Sequence, residues 1–402
     1  MAQRTLRAAV VGAGIGGLAT AMALTRAGLR VDVYEQAGQL REVGAGLHLA
    51  PNGSRLLERF GLMERLRKVA VRPEALEVRL WNAGKVLARQ PMGDVWEAEF
   101  GGSHYTVHRA DLHTALLEQV PSESLRLGRR CVGFAEDADG VDLHFADGSV
   151  ARADVLIGAD GVHSLVRRAV AGPDLPVLTG SSAVRGLVPV ERLTGADGLP
   201  ALPADTMFVW TGPQARFLAA PVSGGQLLSF VAVVPDGGAA EESWSRSSDV
   251  GVLAEAFQDW DPIVRQIIGL AEEVGHWSLR DREPLPRWST ARTTLLGDAA
   301  HPMLPYHGQG ASQAIEDAVV LARCLAESAG QPAAALRRYE RARREHSARV
   351  QLGTRDSGSQ RLASGRNDSA ERSGRELSAL VEDTTWIQRH DAEAALAGLP
   401  AA

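Results

Sequence analysis

The chain has 402 residues, 45% hydrophobic and 23% charged, with a formal net charge of −6. That is material for one large or two medium domains with an apolar core, and the mild acidity, with no basic stretch interleaved with aromatics, gives no support to nucleic-acid binding. Cys131 and Cys324 lack metal spacing and fit a reducing cytoplasm, not a disulfide framework.

The chain begins with an apolar strand over 6–11, a small-residue helix over 16–28 and a β-branched strand over 30–34, one βαβ unit. Glycines 12, 14, 16 and 17 break the apolar run 8–24, so it reads as neither leader peptide nor membrane span, and the expectation is a soluble cytoplasmic protein. A helix over 51–60 follows, then two strands within 76–90 joined at Asn82-Ala83-Gly84, then a helix over 109–120 whose apolar face is Leu112, Ala115, Leu116 and Val120.

Residues 131–161 read as a three-stranded meander punctuated by Asp139-Gly140 and Asp147-Gly148, ending in a buried strand before Asp160-Gly161. From 178 to 285 the texture turns to long β segments (183–190, 206–210, 216–221, 226–234) with two helices around 249–270, a second sheet domain inserted into the first. A strand, a loop and a helix with the stripe Ile315, Ala318, Val319, Ala322 and Leu325 bring the chain back. The helix over 332–350 carries many arginines and reads as a solvated face, and 353–380, rich in Gly, Ser, Arg and Asn, as a mobile tail.

Gly12, Gly14 and Gly17 make a G-x-G-x-x-G turn between strand and helix. The first permits the turn, the second admits a pyrophosphate to the backbone, the third lets helix and strand pack, and the helix N-terminus offers N–H groups to the anion. Glu35, 18 residues after Gly17 at the end of the second strand, is placed to hold ribose hydroxyls. This pattern alone does not separate FAD from NAD.

Two distant segments separate them. "GADGVHSLVR" (158–167) and "LLGDAAHPMLPYHGQGASQAIEDA" (295–318) resemble the further motifs of the class A flavoprotein aromatic hydroxylases, typified by para-hydroxybenzoate hydroxylase. The resemblance covers about residues 6–350, and "VGAGLHLAPNGSRLLERFGL" and "LRDREPLPRWSTARTTLLGDAAHPM" are most similar to the salicylate hydroxylase and 6-hydroxynicotinate 3-monooxygenase branches.

The resemblance implies an α/β fold: a Rossmann-like FAD-binding domain (1–71, 101–177, 286–350), an inserted β-sheet substrate domain (72–100, 178–285), and a helical or mobile C-terminal tail (351–402). It implies tightly bound, non-covalent FAD, visiting NADH or NADPH, and O2 that adds to the reduced flavin as a C4a-hydroperoxide and hydroxylates a phenolic or hydroxypyridine ring. Asp160, Gly161, Arg41 and Arg109 are implied as FAD or pyridine-nucleotide contacts, Asp298 as acceptor for a ribityl hydroxyl, and Pro305, Gly308, Gln309 and Gly310 as the helix start facing the flavin ring. The lack of a second G-x-G-x-x-G suits a nicotinamide that comes and goes. Homodimers are usual in the family, but no interface signature is legible here.

Ionising the substrate's ring hydroxyl asks for a base or hydrogen-bond relay, a role suited to histidine. His48 is the first candidate and His307 the second, each against a structural alternative, while His301 reads as structural. Trp210, Phe217, Pro221 and Tyr306 are candidate pocket walls, with ordinary core packing the competing reading. Arg185 is an equally balanced choice between substrate-carboxylate anchor and surface arginine. Other readings are an oxidoreductase acting on a larger natural-product ring and a non-catalytic flavin scaffold; the W-x-W-x-I-P signature of flavin halogenases is absent.

Overall fold

The computed structural model describes residues 5–40, 45–193, 201–236, 250–328, 330–363 and 384–399. The apolar runs Arg7–Val11 and Arg30–Tyr34 lie parallel, with Ala8 beside Val31, and the helix Ile15–Arg26 crosses between them. They are the centre of a five-stranded parallel sheet in the order Thr293–Leu295, Val155–Gly158, Arg7–Val11, Arg30–Tyr34, Leu125–Arg126. Parallel strands covered on both faces need apolar side chains throughout, as Val155, Leu156 and Ile157, all without exposure, illustrate.

The helix Ile15–Arg26 is buried almost all round because the helix Gly310–Glu327 packs on its outer side. Gly16 permits the approach: a Cβ there would stand 2.9 Å from Leu296 Cδ1 and 3.4 Å from Ala314 Cβ.

A seven-stranded sheet forms the second layer, in the order Val274–Asp281, Val177–Pro189, Leu227–Pro235, Arg216–Val222, Thr206–Thr211, Ala75–Leu80, Val86–Pro91. Its neighbours are antiparallel except Ala75–Leu80 beside Thr206–Thr211. The helices Val250–Ala256 and Pro262–Leu270 cover one face, enclosing Phe208, Trp210, Phe217, Phe230 and Phe257. The other face looks toward the nucleotide-type domain.

A two-stranded ribbon, Gly46–Leu49 with Tyr105–His108, joins the layers. Gly46 donates its N–H to Ser229 Oγ (2.8 Å), and Thr106 Oγ1 donates to the Pro221 carbonyl (2.5 Å), so the ribbon is tied to the sheet at two points.

Three sequence expectations need correction. The 131–158 segment forms four strands: Cys131–Glu136, Val141–Phe145 and Val150–Ala153 make the antiparallel meander, and the fully apolar Val155–Gly158 leaves it for the parallel sheet. The C-terminal helix runs Pro332–Ala363, beyond 350 and into the stretch read as a tail; 364–380 lies outside the described residues. Its face is not uniformly solvated, since Arg343 is completely buried.

Candidate active site

The apolar face of the seven-stranded sheet, the glycine turn and the 296–311 segment enclose a cavity of about 480 Å³. At one end stands the N-terminus of Ile15–Arg26, where Gly14 is the N-cap residue and no side chain caps the helix. The first-turn N–H groups there are of the kind that can receive an anion.

The three glycines divide their work. A Cβ on Gly12, at φ +104°, would strike the Ala159 carbonyl, and one on Gly17 the Gly12 carbonyl, so both are dictated by packing of the polypeptide itself. Around a Cβ on Gly14 nothing lies within 4 Å, and Gly14 lines the cavity. Space that the folded chain does not need is left where a diphosphate would approach the backbone, which is the fit expected for a dinucleotide.

Glu35 accepts the Ala13 N–H (2.9 Å) on Oε2 and the Ala37 N–H (2.9 Å) on Oε1, pinning the glycine turn to the end of Arg30–Tyr34. Each carboxylate oxygen keeps a second lone pair for a hydroxyl. Asp160 is engaged locally: it accepts from Ser164 Oγ (2.5 Å) on Oδ1 and from Leu165 N (2.7 Å) and Val166 N (3.2 Å) on Oδ2 at the start of Leu165–Ala171, while its neighbour Gly161, at φ +72°, lines the cavity.

Arg109, Asp298, Pro305, Tyr306, His307, Gly308, Gln309 and Gly310 all line the cavity. Asp298 is exposed there, its carboxylate open to a hydroxyl donor. Gly308, at φ +61°, takes a left-handed turn before the helix Gly310–Glu327, and a Cβ on it would sit 3.0 Å from His48 Cβ. The Gln309 side chain points inward, its Oε1 accepting from Asn52 Nδ2 (3.1 Å) and Gln313 Nε2 (3.2 Å), so only its backbone faces a ligand at the helix start. Arg41 lies outside the described residues.

Both candidate histidines reach the cavity, by different supports. His307 Nε2 pairs with Ser357 Oγ (2.8 Å), tying the 305–308 turn to the C-terminal helix. His48 Nδ1 lies 3.2 Å from Nε2 of His104, which the sequence reading missed. Burial, helped by the Arg185 charge, lowers the His48 pKa to about 4. Burial and then His48 push His104 well below the ordinary histidine value. Both rings are therefore neutral at pH 7, with one proton shared between the facing nitrogens.

His301 is structural: buried, it pairs through Nε2 with Asp317 Oδ2 (2.6 Å).

Of the four candidate wall residues Tyr306 lines the cavity, while Trp210, Phe217 and Pro221 do not, and for Trp210 and Phe217 the competing reading of core packing holds. Side chains alternate across a strand, and it is Met207, Val209 and Thr211, with Arg216, Leu218 and Ala220, that face the cavity. Trp210 and Phe217 point the opposite way into the core, Trp210 donating Nε1–H to the buried Asp261 Oδ2 (2.7 Å). Pro221 likewise stays off the cavity, while its carbonyl holds Thr106.

Arg185 reaches the cavity from Val177–Pro189, its guanidinium 4.3 Å from the Trp277 ring centroid. Burial, with Arg109 adding repulsion, lowers its pKa to about 10, and it remains charged at pH 7.

Behind Gln309 runs a buried ionic network. Asn52 Nδ2 donates to Glu316 Oε1 (2.7 Å), Arg343 bonds Glu316 and Asp317, and His390 Nδ1 lies 3.0 Å from Glu316 Oε2. The Arg343 guanidinium already neutralises the carboxylate of the Glu316, His346 and His390 cluster, so the cluster reads as an ion-pair network and not a cation site.

An uncapped helix N-terminus, a carboxylate at the end of the second strand, an open carboxylate and a second helix start beside an apolar cavity are the arrangement that a dinucleotide-type cofactor would need. The chain belongs to the FAD-binding domain family, whose model matches residues 5–353. It is 40% identical to a 3-amino-4-hydroxybenzoate 2-monooxygenase of Streptomyces platensis over 96% of each chain. It is also 40% identical to the 6-hydroxynicotinate 3-monooxygenase of Bordetella bronchiseptica, covering 87% of this chain and 91% of that one.

Among solved structures, a salicylate hydroxylase substrate complex superposes with TM-score 0.82 at 30% identity, covering 98% of this chain and 97% of the other. Klebsiella pneumoniae HpxO complexed with FAD and uric acid gives 0.80 at 30%, over 98% and 96%. The protein is an FAD-dependent aromatic-ring monooxygenase that uses NAD(P)H and O2. Among the described residues no helix is long and apolar enough to cross a membrane.

Proposed function

We propose that the substrate is a monocyclic aromatic acid carrying a ring hydroxyl, with 3-amino-4-hydroxybenzoate first in order and 6-hydroxynicotinate second. The observation that carries this is Arg185, a desolvated guanidinium that lines the same cavity as the apolar Leu76, Val78, Met207, Val209 and Leu218 and as neutral His48. A buried guanidinium that reaches a cavity can anchor an anionic group there by a charge-assisted contact, and apolar walls suit an aromatic ring.

The relatives' own names support the choice: each acts on an acid with a ring hydroxyl. Bound FAD supplies acceptance of hydride from NAD(P)H and activation of O2. The chain does the rest. The Ile15–Arg26 N-terminus and Gly14 take the diphosphate, Glu35 the ribose, Asp298 a ribityl hydroxyl, and the Gly308–Gly310 backbone the edge of the ring system where negative charge develops. Arg185 anchors the substrate carboxylate, His48 meets the ring hydroxyl, His307 holds the turn beside it, and the strand wall excludes water.

The mild net negative charge and the two free cysteines suit a cytoplasmic enzyme of small molecules. The test is titration of the FAD-loaded protein with 3-amino-4-hydroxybenzoate and with 2-aminophenol, followed by the flavin absorbance change. The acid is expected to bind and its decarboxylated analogue to bind about a hundredfold more weakly, the scale of a buried charge-assisted contact. Equal affinity for the two would overturn the role of Arg185.

A further inference from the structure

His104 lies in "GGSHYTVHRA", outside every motif, yet its Nε2 faces His48 Nδ1 at 3.2 Å across the ribbon that joins the two layers. The facing nitrogens share one proton, and which ring carries it decides what His48 offers the substrate. If His48 donates from Nδ1, its Nε2 is a bare lone pair and a base. If His104 donates from Nε2, His48 must hold its own proton on Nε2 and is a donor.

The other nitrogen of His104 decides between them. Nδ1 of His104 is buried and has no hydrogen-bond partner among the described residues. When His104 accepts at Nε2, Nδ1 must carry a hydrogen, an orphaned buried donor. When His104 donates at Nε2, Nδ1 is a bare acceptor. Orphaned buried N–H groups are rarer in proteins than under-satisfied acceptors, so the second arrangement wins. Burial of both rings and the Arg185 charge remove the doubly protonated alternative. The His104 ring is fixed in place by an edge-on contact with Trp96, with centroids 5.6 Å apart.

We propose that His104 is a positioning residue that holds His48 in its Nε2–H tautomer, so that His48 binds the ring oxygen of the substrate as a donor to the ionised phenolate and not as a base toward the phenol. This rests on the reading that His48 meets a ring hydroxyl. Substrate selection then favours hydroxyl groups acidic enough to be ionised when bound. His48 Nε2 is the nitrogen left for this task, since its ring lines the cavity and Nδ1 is engaged by His104.

The tautomer is read directly by long-range 15N–1H NMR of the FAD-loaded protein with 15N-labelled histidine, assigned with His48→Asn and His104→Gln. Protonated Nε2 and bare Nδ1 are expected on both rings; a protonated Nδ1 on His48 would overturn the proposal whether or not any hydroxy acid binds. In parallel, the phenolate absorbance of bound 3-amino-4-hydroxybenzoate is followed against pH. His104→Leu, which frees the His48 tautomer, is expected to raise the apparent pKa of the bound phenol so that the phenolate fraction at pH 7 falls by about tenfold. His104→Gln, which keeps a donor at the Nε2 position, is expected to restore it.

An unchanged phenolate fraction in His104→Leu would contradict the proposal. Failure of every hydroxy acid to bind would instead strike the substrate reading, leaving the NMR result to judge the tautomer.

Discussion

Arg343 donates its Nε–H to Asp317 Oδ1 at 2.8 Å, and both side chains are completely buried. The same guanidinium bonds Glu316 Oε2 and Gln313 Oε1, so one cation balances two buried carboxylates directly behind the turn that carries Gln309. Arg343→Met leaves those carboxylates uncompensated and is expected to cost about 3–5 kcal/mol of stability. Chemical denaturation measures it, and adding Glu316→Gln and Asp317→Asn to the variant is expected to recover part of the loss.

The same network sets an acid limit. Burial opposes ionisation of Glu316 and Asp317, but Arg343 with His390 for the first, and His301 with Arg343 for the second, outweigh it and hold both near a pKa of about 2, against ordinary values of 4.5 and 3.8. Folded-state values below the unfolded ones contribute stability that is complete above about pH 5 and is lost as pH falls toward 2. Unfolding free energy is therefore expected to fall with acidification over that window, with a shallower slope in Glu316→Gln. An equal slope in the two proteins would remove Glu316 from this role.

Gly14 and Gly12 are expected to fail differently. Gly14→Ala adds a methyl where the folded chain has open space, so stability without FAD stays close to the parent while FAD affinity drops. Gly12→Ala places Cβ against the Ala159 carbonyl at a positive φ and is expected to destabilise the fold itself. Thermal unfolding of the FAD-stripped proteins, beside flavin fluorescence titration, separates the two effects.

Arg185→Met is expected to raise KM for the aromatic acid by about 10- to 100-fold, the range for loss of a charge-assisted hydrogen bond. The KM for NADH should change little. Steady-state kinetics in both substrates checks it, and a decarboxylated substrate should be insensitive to the substitution.

Trp210→Phe tests the face assignment of the inserted sheet. It leaves Asp261 without its 2.7 Å Nε1–H donor and is expected to cost about 1–3 kcal/mol in stability, with KM unchanged. Val209→Ala, one residue away on the cavity face, is expected to alter KM more than stability.

The glycine turn and the strands beside it were legible because close backbone approach leaves a strict mark on the sequence. The inserted sheet was legible as strands but not as faces. Both sides of it are apolar, one packed on helices and one lining a cavity, so the alternation that tells inside from outside is erased, and the sequence alone does not choose between Trp210 as wall and Trp210 as core, where the structure puts it, with Val209 and Thr211 on the cavity face. His104 carried no signal, since its meaning depends on the pairing of Gly46–Leu49 with Tyr105–His108, 56 residues apart at His48 and His104. Arg343 was hidden among surface arginines, although Leu336, Tyr339, Arg343, Ser347 and Val350 recur at helical spacing on one buried stripe. A charged residue in register with that stripe was the available clue.

The most direct test of the central claim is NADH oxidation by the FAD-loaded protein in air with 3-amino-4-hydroxybenzoate and 6-hydroxynicotinate, with hydroxylated product and hydrogen peroxide quantified in the same samples. The predicted result is that one of these acids stimulates NADH oxidation and that hydroxylated product accounts for most of the NADH consumed. Stimulation by neither, or reducing equivalents recovered as peroxide with the acid unchanged, would contradict a hydroxylase of hydroxylated aromatic acids.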